Sequence, residues 1–208
     1  MSASTASVSP LRQCLRQASK QAHHELDHHP LLTPLLRADL NRTHYGKALA
    51  ALHGIQASSE QRIQAFLQQC PGWADYRLYC RLPALEADLA ALGLQPVAAP
   101  SNWPEPTCAA SLVGMLYVTE GSNMGGQVIA RSIRQHGQDD LPMSFFSGQG
   151  EVSDQAWQDF WALANAQCSV DDYALAASTA LAVFAAIKIH LDGCRASINA
   201  TNSRALDA

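Results

Sequence analysis

The sequence predicts a single all-α domain of six to eight helices, and three observations carry that prediction. Of 208 residues 35 are Ala, and Ala is the best helix former. Alternating runs rich in Val, Ile and Thr, the mark of strands, are hard to find. Apolar residues recur instead at helical spacing between Pro and Gly stops. Hydrophobic residues make up 48% and charged residues 15%, which excludes a disordered chain and a highly charged coiled coil. At this length a core forms without staples.

Residues 1–9 are small and polar and read as a disordered tail, residues 10–194 as the domain, and residues 195–208 as a C-terminal tail. Helical periodicity runs from Leu11 to about His28, where Pro30 disfavours continuation. A short apolar piece, Leu31 to Leu36, follows. Asp39 or Asn41 can cap the next helix, which carries Tyr45, Leu49, Leu52, Ile55, Ile63, Phe66 and Leu67 until Cys70-Pro71-Gly72 stops it. A helix near 83–92 ends at Gly93, a residue suited to a left-handed cap. Four prolines make residues 95–107 a loop. A long helical pattern spans Ala109 to about His136, residues 137–150 read as a loop, and helices near 153–167 and 171–191 close the domain. The longest apolar stretch, Ala174 to Ile187, is shorter than the roughly 20 residues a bilayer needs, so a buried helix is expected and no membrane span.

The net charge is −4, with no basic run, so no nucleic-acid partner is expected. No two of the six Cys have C-x-x-C spacing. The start, MSASTASVSP, lacks the charged and apolar regions of a signal peptide. Free thiols in a reducing cytoplasm follow as the expectation.

The most informative stretch is Leu112 to Arg131, where Gly121, Gly125 and Gly126 interrupt an apolar helical pattern. Three Gly cost roughly 2.5–3 kcal/mol relative to Ala in a helix interior. Gly114, Gly121 and Gly125 fall on one helix face, with Ser122 beside it. A face without side chains admits three readings: close packing of a second helix, a surface for a flat ligand, or a break in the helix. It is not a dinucleotide fingerprint, because no strand precedes it and the spacing differs.

The first helix carries several imidazoles. Leu15, Ala18, Ala22 and Leu26 form an apolar stripe; His24 and His28 turn away from it and read as surface residues. His23 lies at the stripe's border, with Arg16 and Asp27 at nearly the same angle, and His29 points back toward the stripe. His23 is either a surface residue or a ligand reaching into a cleft. Glu25 and His28 have di-iron spacing, but no second Glu-x-x-His exists. One candidate imidazole and one glycine groove suit haem, which is flat and takes an axial His.

At these residues the sequence resembles the haem oxygenase family, and more closely its bacterial, biliverdin-producing branch. The first helix is similar to L-R-x-A-T-x-x-x-H-x-x-L-E/D at Leu15, Arg16, Ala18, Ser19, His23, Leu26 and Asp27. The glycine segment is similar to G-x-L-Y-V-x-E-G-S-x-x-G-G from Gly114 to Gly126. Weaker matches are R-x-x-x-L-x-x-D-L-x-x-L-G from Arg81 to Gly93 and W-x-x-F at Trp157 and Phe160. The resemblance implies haem sandwiched between a proximal helix and a kinked distal helix. It implies His23 as the iron ligand, Asp27 orienting or packing beside it, and Arg16 on a propionate. Gly121, Ser122 and Gly125 would line the distal side and serve catalysis there. It implies oxidative opening of haem, substrate and cofactor at once, to biliverdin, carbon monoxide and ferrous iron. Dioxygen and an external electron donor (ferredoxin, flavodoxin or reductase) would be needed, and a phytochrome could accept the product. A departure is Ser122, where animal members carry Asp. The alternatives are a haem carrier or sensor of the same fold without turnover, and a helical enzyme of thiaminase-like or quinone-cofactor type.

Overall fold

A computed structural model describes residues 9–148 and 151–206, with side chains described for 9–148 and 155–197. Among the described residues seven α-helices follow in order: α1 (Pro10–Asp27), α2 (Arg42–Leu67), α3 (Leu82–Leu92), α4 (Ala109–Gln135), the single turn α5 (Ser144–Ser147), α6 (Glu151–Gln167) and α7 (Tyr173–Leu206). Short 3-10 turns lie at Thr33–Leu36, Pro71–Trp73 and Val170–Asp172. Among the described residues there is no strand, as expected.

Caps place the helix ends where the sequence signals them. Ser9 Oγ accepts the Arg12 amide at 3.3 Å, opening α1 with Pro10 in its first turn. Asn41, not Asp39, caps α2, its Oδ1 accepting the His44 amide at 2.9 Å. Gly93 ends α3 in the left-handed region, at φ 69°. Beyond residue 194, α7 does not end but stays helical to Leu206. The expected N-terminal tail lies, except for Ser9, outside the described residues.

Two buried carboxylates do what local side chains do elsewhere. Glu60 of α2 accepts the amides of Arg81 and Leu82 at 2.6 and 3.1 Å, capping α3 from a neighbouring helix. Asp88 of α3 accepts the amides of Ser144 and Phe145 at 3.0 and 2.8 Å, which builds the helical turn α5 inside the expected loop 137–150. An anion at a helix N-terminus satisfies free N–H groups and meets the positive end of the dipole. The Arg81-to-Gly93 motif is thereby a structural device: Leu85 and Leu89 fill the core, Asp88 caps α5, and Arg81 lies 4.2 Å over the Phe145 ring.

The apolar side of α1 differs in one position from the expected stripe. Ala18 is exposed and Ser19 is buried in its place, between Leu15 and the partly buried Ala22 and Leu26. The cost of burying a hydroxyl is met by hydrogen bonds: Ser19 Oγ donates to the Leu15 carbonyl at 2.8 Å. Both α1 and α4 pack on α7. The stretch Val170–Ser197, with mean hydropathy 1.7, has the length and composition of a membrane span. Its apolar residues are buried on one face only, through Ala176, Ala180, Val183 and Phe184, while Leu175, Leu181 and Ile189 are exposed. All six cysteines are free thiols.

Candidate functional site

Helix α4 runs unbroken through its glycines, so the reading as a break does not hold. The glycine stripe instead divides into two parts. A Cβ on Gly114 would collide with the Ala176 carbonyl and lie 2.8 Å from Thr179 Cβ and 3.0 Å from the Ala180 nitrogen. Gly114 therefore exists for helix packing, letting the α7 backbone close onto α4. Eleven residues on, a Cβ on Gly125 would meet nothing within 4 Å. At Gly121 it would touch only Trp157, at 3.8 Å. The same stripe is a contact at one end and an open surface at the other.

A cleft of about 330 Å³ lies between α1, α4 and α6, lined by Arg12, Arg16, Ser19, Lys20, His23, Tyr117 and Trp157. Its α1 wall follows from helical spacing, since Arg12, Arg16 and Lys20 stand at successive intervals of four and His23 at three more. Ser19 and Tyr117 join the walls, their oxygens 3.1 Å apart. Ser19 has spent its only hydroxyl proton on Leu15, so Tyr117 is the donor in that bond. Aromatic rings back the cleft: Trp157 packs 6.3 Å from Tyr117 and 5.5 Å from Phe160, and the Arg12 guanidinium sits 5.7 Å from the Trp157 ring centre. That placement is a cation–π contact, which holds a long side chain against a rigid surface.

His23 and Asp27 are both on the exposed side of α1, with Nδ1 of His23 2.9 Å from Oδ2 of Asp27. The other ring nitrogen, Nε2, has no hydrogen-bond partner among the described residues. Phe184 of α7 meets the imidazole edge-on at 6.0 Å. A carboxylate on one ring nitrogen fixes the tautomer in which the other offers a lone pair to a metal. His24 and His28 are exposed, as expected of surface residues, their rings tilted against each other at 4.2 Å. His29 is buried, 3.3 Å from Asp192 of α7. Among the described residues no three His, Cys, Asp or Glu side chains gather as a metal-binding group.

The structure brings Arg16 and His23 into the cleft, with Asp27 joined through His23 and Gly121 through Trp157. Ser122 and Gly125 lie further along α4, exposed, and are not among the lining residues. Ser122 Oγ donates to the Thr119 carbonyl at 2.7 Å. Arg12, Lys20, Tyr117 and Trp157 are cleft residues that the sequence reading did not place there. The signal for the two cations was present, because each stands four residues from Arg16; Tyr117 stands four before Gly121.

This fold and cleft define a helical protein in which the imidazole of His23, held by Asp27 through Nδ1, lines a cationic, aromatic-walled groove. The chain belongs to the haem oxygenase family, whose model matches residues 9–190. It is 40% identical over 91 residues to a haem oxygenase of Xanthomonas campestris pv. campestris (strain 8004), a match covering 44% of this chain and 53% of that protein. The matched part thus spans about half the length of that curated relative. Its fold is similar to the NO- and CO-bound haem oxygenase of Neisseria meningitidis, with TM-score 0.71, 18% identity and coverage of 88% and 91% of the two chains. The haem oxygenase of Leptospira interrogans gives TM-score 0.66 at 15% identity, covering 88% and 98%. The haem complex of the Synechocystis sp. PCC6803 enzyme gives 0.61 at 16%, covering 95% and 100%.

Proposed function

We propose that the chain is a haem oxygenase that opens haem to biliverdin, carbon monoxide and ferrous iron. The observation that carries this reading is His23, paired with Asp27 through Nδ1 and free at Nε2, in a groove lined by three cations. The residues fit the group. Nε2 of His23 would hold the iron, as a neutral imidazole nitrogen does in haem proteins. Arg16, with Arg12 and Lys20, supplies positive charge for two carboxylates. Gly121 and Gly125 let a flat molecule approach the α4 backbone.

Bound haem supplies both the iron that takes up dioxygen and the ring that is oxidised. The chain's own part is to bind, orient and shield. Asp27, in contact with Nδ1, fixes the orientation of the His23 ring and leaves Nε2 for the ligand. Tyr117 and Ser19 tie α1 to α4 and set the width of the groove. Ser122 Oγ, whose proton is held by the Thr119 carbonyl, accepts from solvent and passes a proton onward only by turning its hydroxyl. Electrons come from a ferredoxin, flavodoxin or reductase, and a biliverdin acceptor such as a phytochrome can take the product. Six free thiols suit the cytoplasm.

The test is to add haem, then reductant and oxygen, and to identify the pigment by chromatography. Biliverdin is expected. A stable haem complex with no conversion would instead mean a carrier or sensor of the same fold. Absence of a Soret band would remove haem from the reading, and a His23→Ala protein with an unchanged haem spectrum would remove His23.

A further inference from the structure

Beneath the bare part of α4 lies a buried polar cell that the proposed chemistry does not use. Glu120 directly precedes Gly121 and is 3% exposed. Its Oε1 accepts the Tyr76 hydroxyl at 2.6 Å, and its Oε2 accepts the Asn123 amide at 2.8 Å. Tyr76, in the segment between α2 and α3, is itself buried and packs edge-on against Trp73 at 5.7 Å. The cell has further walls. Arg81 is buried, and a Cβ on Gly126 would lie 3.5 Å from its guanidinium. Two buried atoms here, Arg81 Nε and Asn123 Oδ1, have no hydrogen-bond partner.

The placement matters because the outer face of this segment offers nothing to hold. Gly121 and Gly125 present no side chains, and Ser122 bonds only within its own helix. Residues 120, 123 and 126 are buried, as is Thr119 at the start of the segment, so side chains that hold the glycine segment act mainly from inside. Of these, Gly126 has no side chain, and the Asn123 amide is held by Glu120 itself. Among the described residues Tyr76 then supplies the side-chain hydrogen bond that moors Glu120 outside its own helix, beside the charge of Arg81.

We infer that Glu120 is a positioning residue, which moors the glycine segment of α4 to Tyr76 and so sets the floor over which a flat ligand lies. Both carboxylate oxygens accept, an arrangement that suits the ionised form. Burial opposes that form and raises the pKa; the Tyr76 hydroxyl, the Arg81 charge and the Asn123 amide pull it back down. The consequence for haem rests on the function proposed above, whereas the mooring itself does not.

Amide hydrogen exchange of the haem-free protein tests the mooring. Tyr76→Phe and Glu120→Ala should raise exchange across residues 119–126 about tenfold, with α2 unchanged, as expected for losing a hydrogen bond to a charged group. Glu120→Gln should restore protection, since Gln still accepts from Tyr76 and Asn123 can turn its unpartnered Oδ1 to the new amide. Should Glu120→Ala fail to fold, Tyr76→Phe decides alone. Unchanged exchange in Tyr76→Phe, or a uniform rise over the whole chain, overturns the inference. With haem added, Tyr76→Phe should shift the ferric optical or paramagnetic spectrum while His23 remains bound; an identical spectrum overturns the inference for the ligand. If the wild type takes up no haem, the functional reading fails and the exchange result still decides the mooring.

Discussion

Asp27 Oδ2 lies 2.9 Å from His23 Nδ1, one helical turn away on the same face of α1. Because the two are four residues apart on one rigid helix, no loop movement is needed to form the pair. Asp27→Ala is expected to weaken haem binding by about tenfold, the low end for an outer-sphere partner because both groups are largely exposed. Asp27→Asn, which keeps an acceptor, should lose less. Titration followed at the Soret band checks the order; equal affinity in all three proteins would show that the pair does nothing for the ligand.

The divided glycine stripe predicts opposite effects for one kind of substitution. Gly114→Ala pushes a methyl group into the α7 backbone and should cost about 1–3 kcal/mol. Gly125→Ala meets open space and should gain up to about 1 kcal/mol through helix propensity. In a chain of this size each kcal/mol moves the melting temperature by roughly 2–4 °C. The stabilised Gly125→Ala protein should turn over haem more slowly, because the methyl group stands on the face left bare for it. A Gly125→Ala protein with lowered Tm, or with full turnover, would contradict this.

Acid stability should depend on His190. Its Nε2 faces the Ala51 carbonyl at 3.0 Å. Burial lowers its pKa below the ordinary 6.5, against a smaller upward pull from that carbonyl. In the window below 6.5 the unfolded chain binds a proton that the folded chain resists, so stability falls as pH drops. Urea midpoints at pH 7.5 and 5.5 should therefore drop less in His190→Gln than in the wild type. Comparing the drops cancels the other titrating groups, including Glu120. Parallel drops would sink the assignment.

Two cysteines should differ in reactivity. Burial works against the thiolate of Cys108, but hydrogen bonds from Ser111 and the Ala110 amide outweigh it and lower the pKa. Cys108 caps α4, where the helix dipole also favours an anion. Cys168 is buried, and its pKa is pushed up to about 11, by burial first and then by Asp172 and Cys108. Alkylation at neutral pH, read by mass spectrometry, should modify Cys108 well before Cys168. The reverse order would contradict the structure.

Much of the fold was legible because its signals are local. Asn41, Gly93 and Pro10 act on their own turns, so periodicity and caps placed the helix ends within a few residues, except that of α7, which runs on past residue 191 to Leu206. What was not legible depends on neighbours in space. Gly114 and Gly125 look alike along the chain and differ only in what stands opposite them. Glu60 and Asp88 cap helices to which they do not belong, which no reading of one segment reveals. The site divides in the same way: the angles of Arg16, His23 and Asp27 follow from one helix, whereas Trp157 and Tyr117 enter only when α6 and α4 are docked.

Helix α7 supports both sides of the cleft while lining none of it. Its small residues Ala176 and Ala180, and Phe184 against His23, set how far apart α1 and α4 stand. The groove is in effect a jaw whose hinge pin lies behind it. Its gape can be retuned from the far side, by changing the girth of α7 side chains, with every ligand-facing residue left as it is.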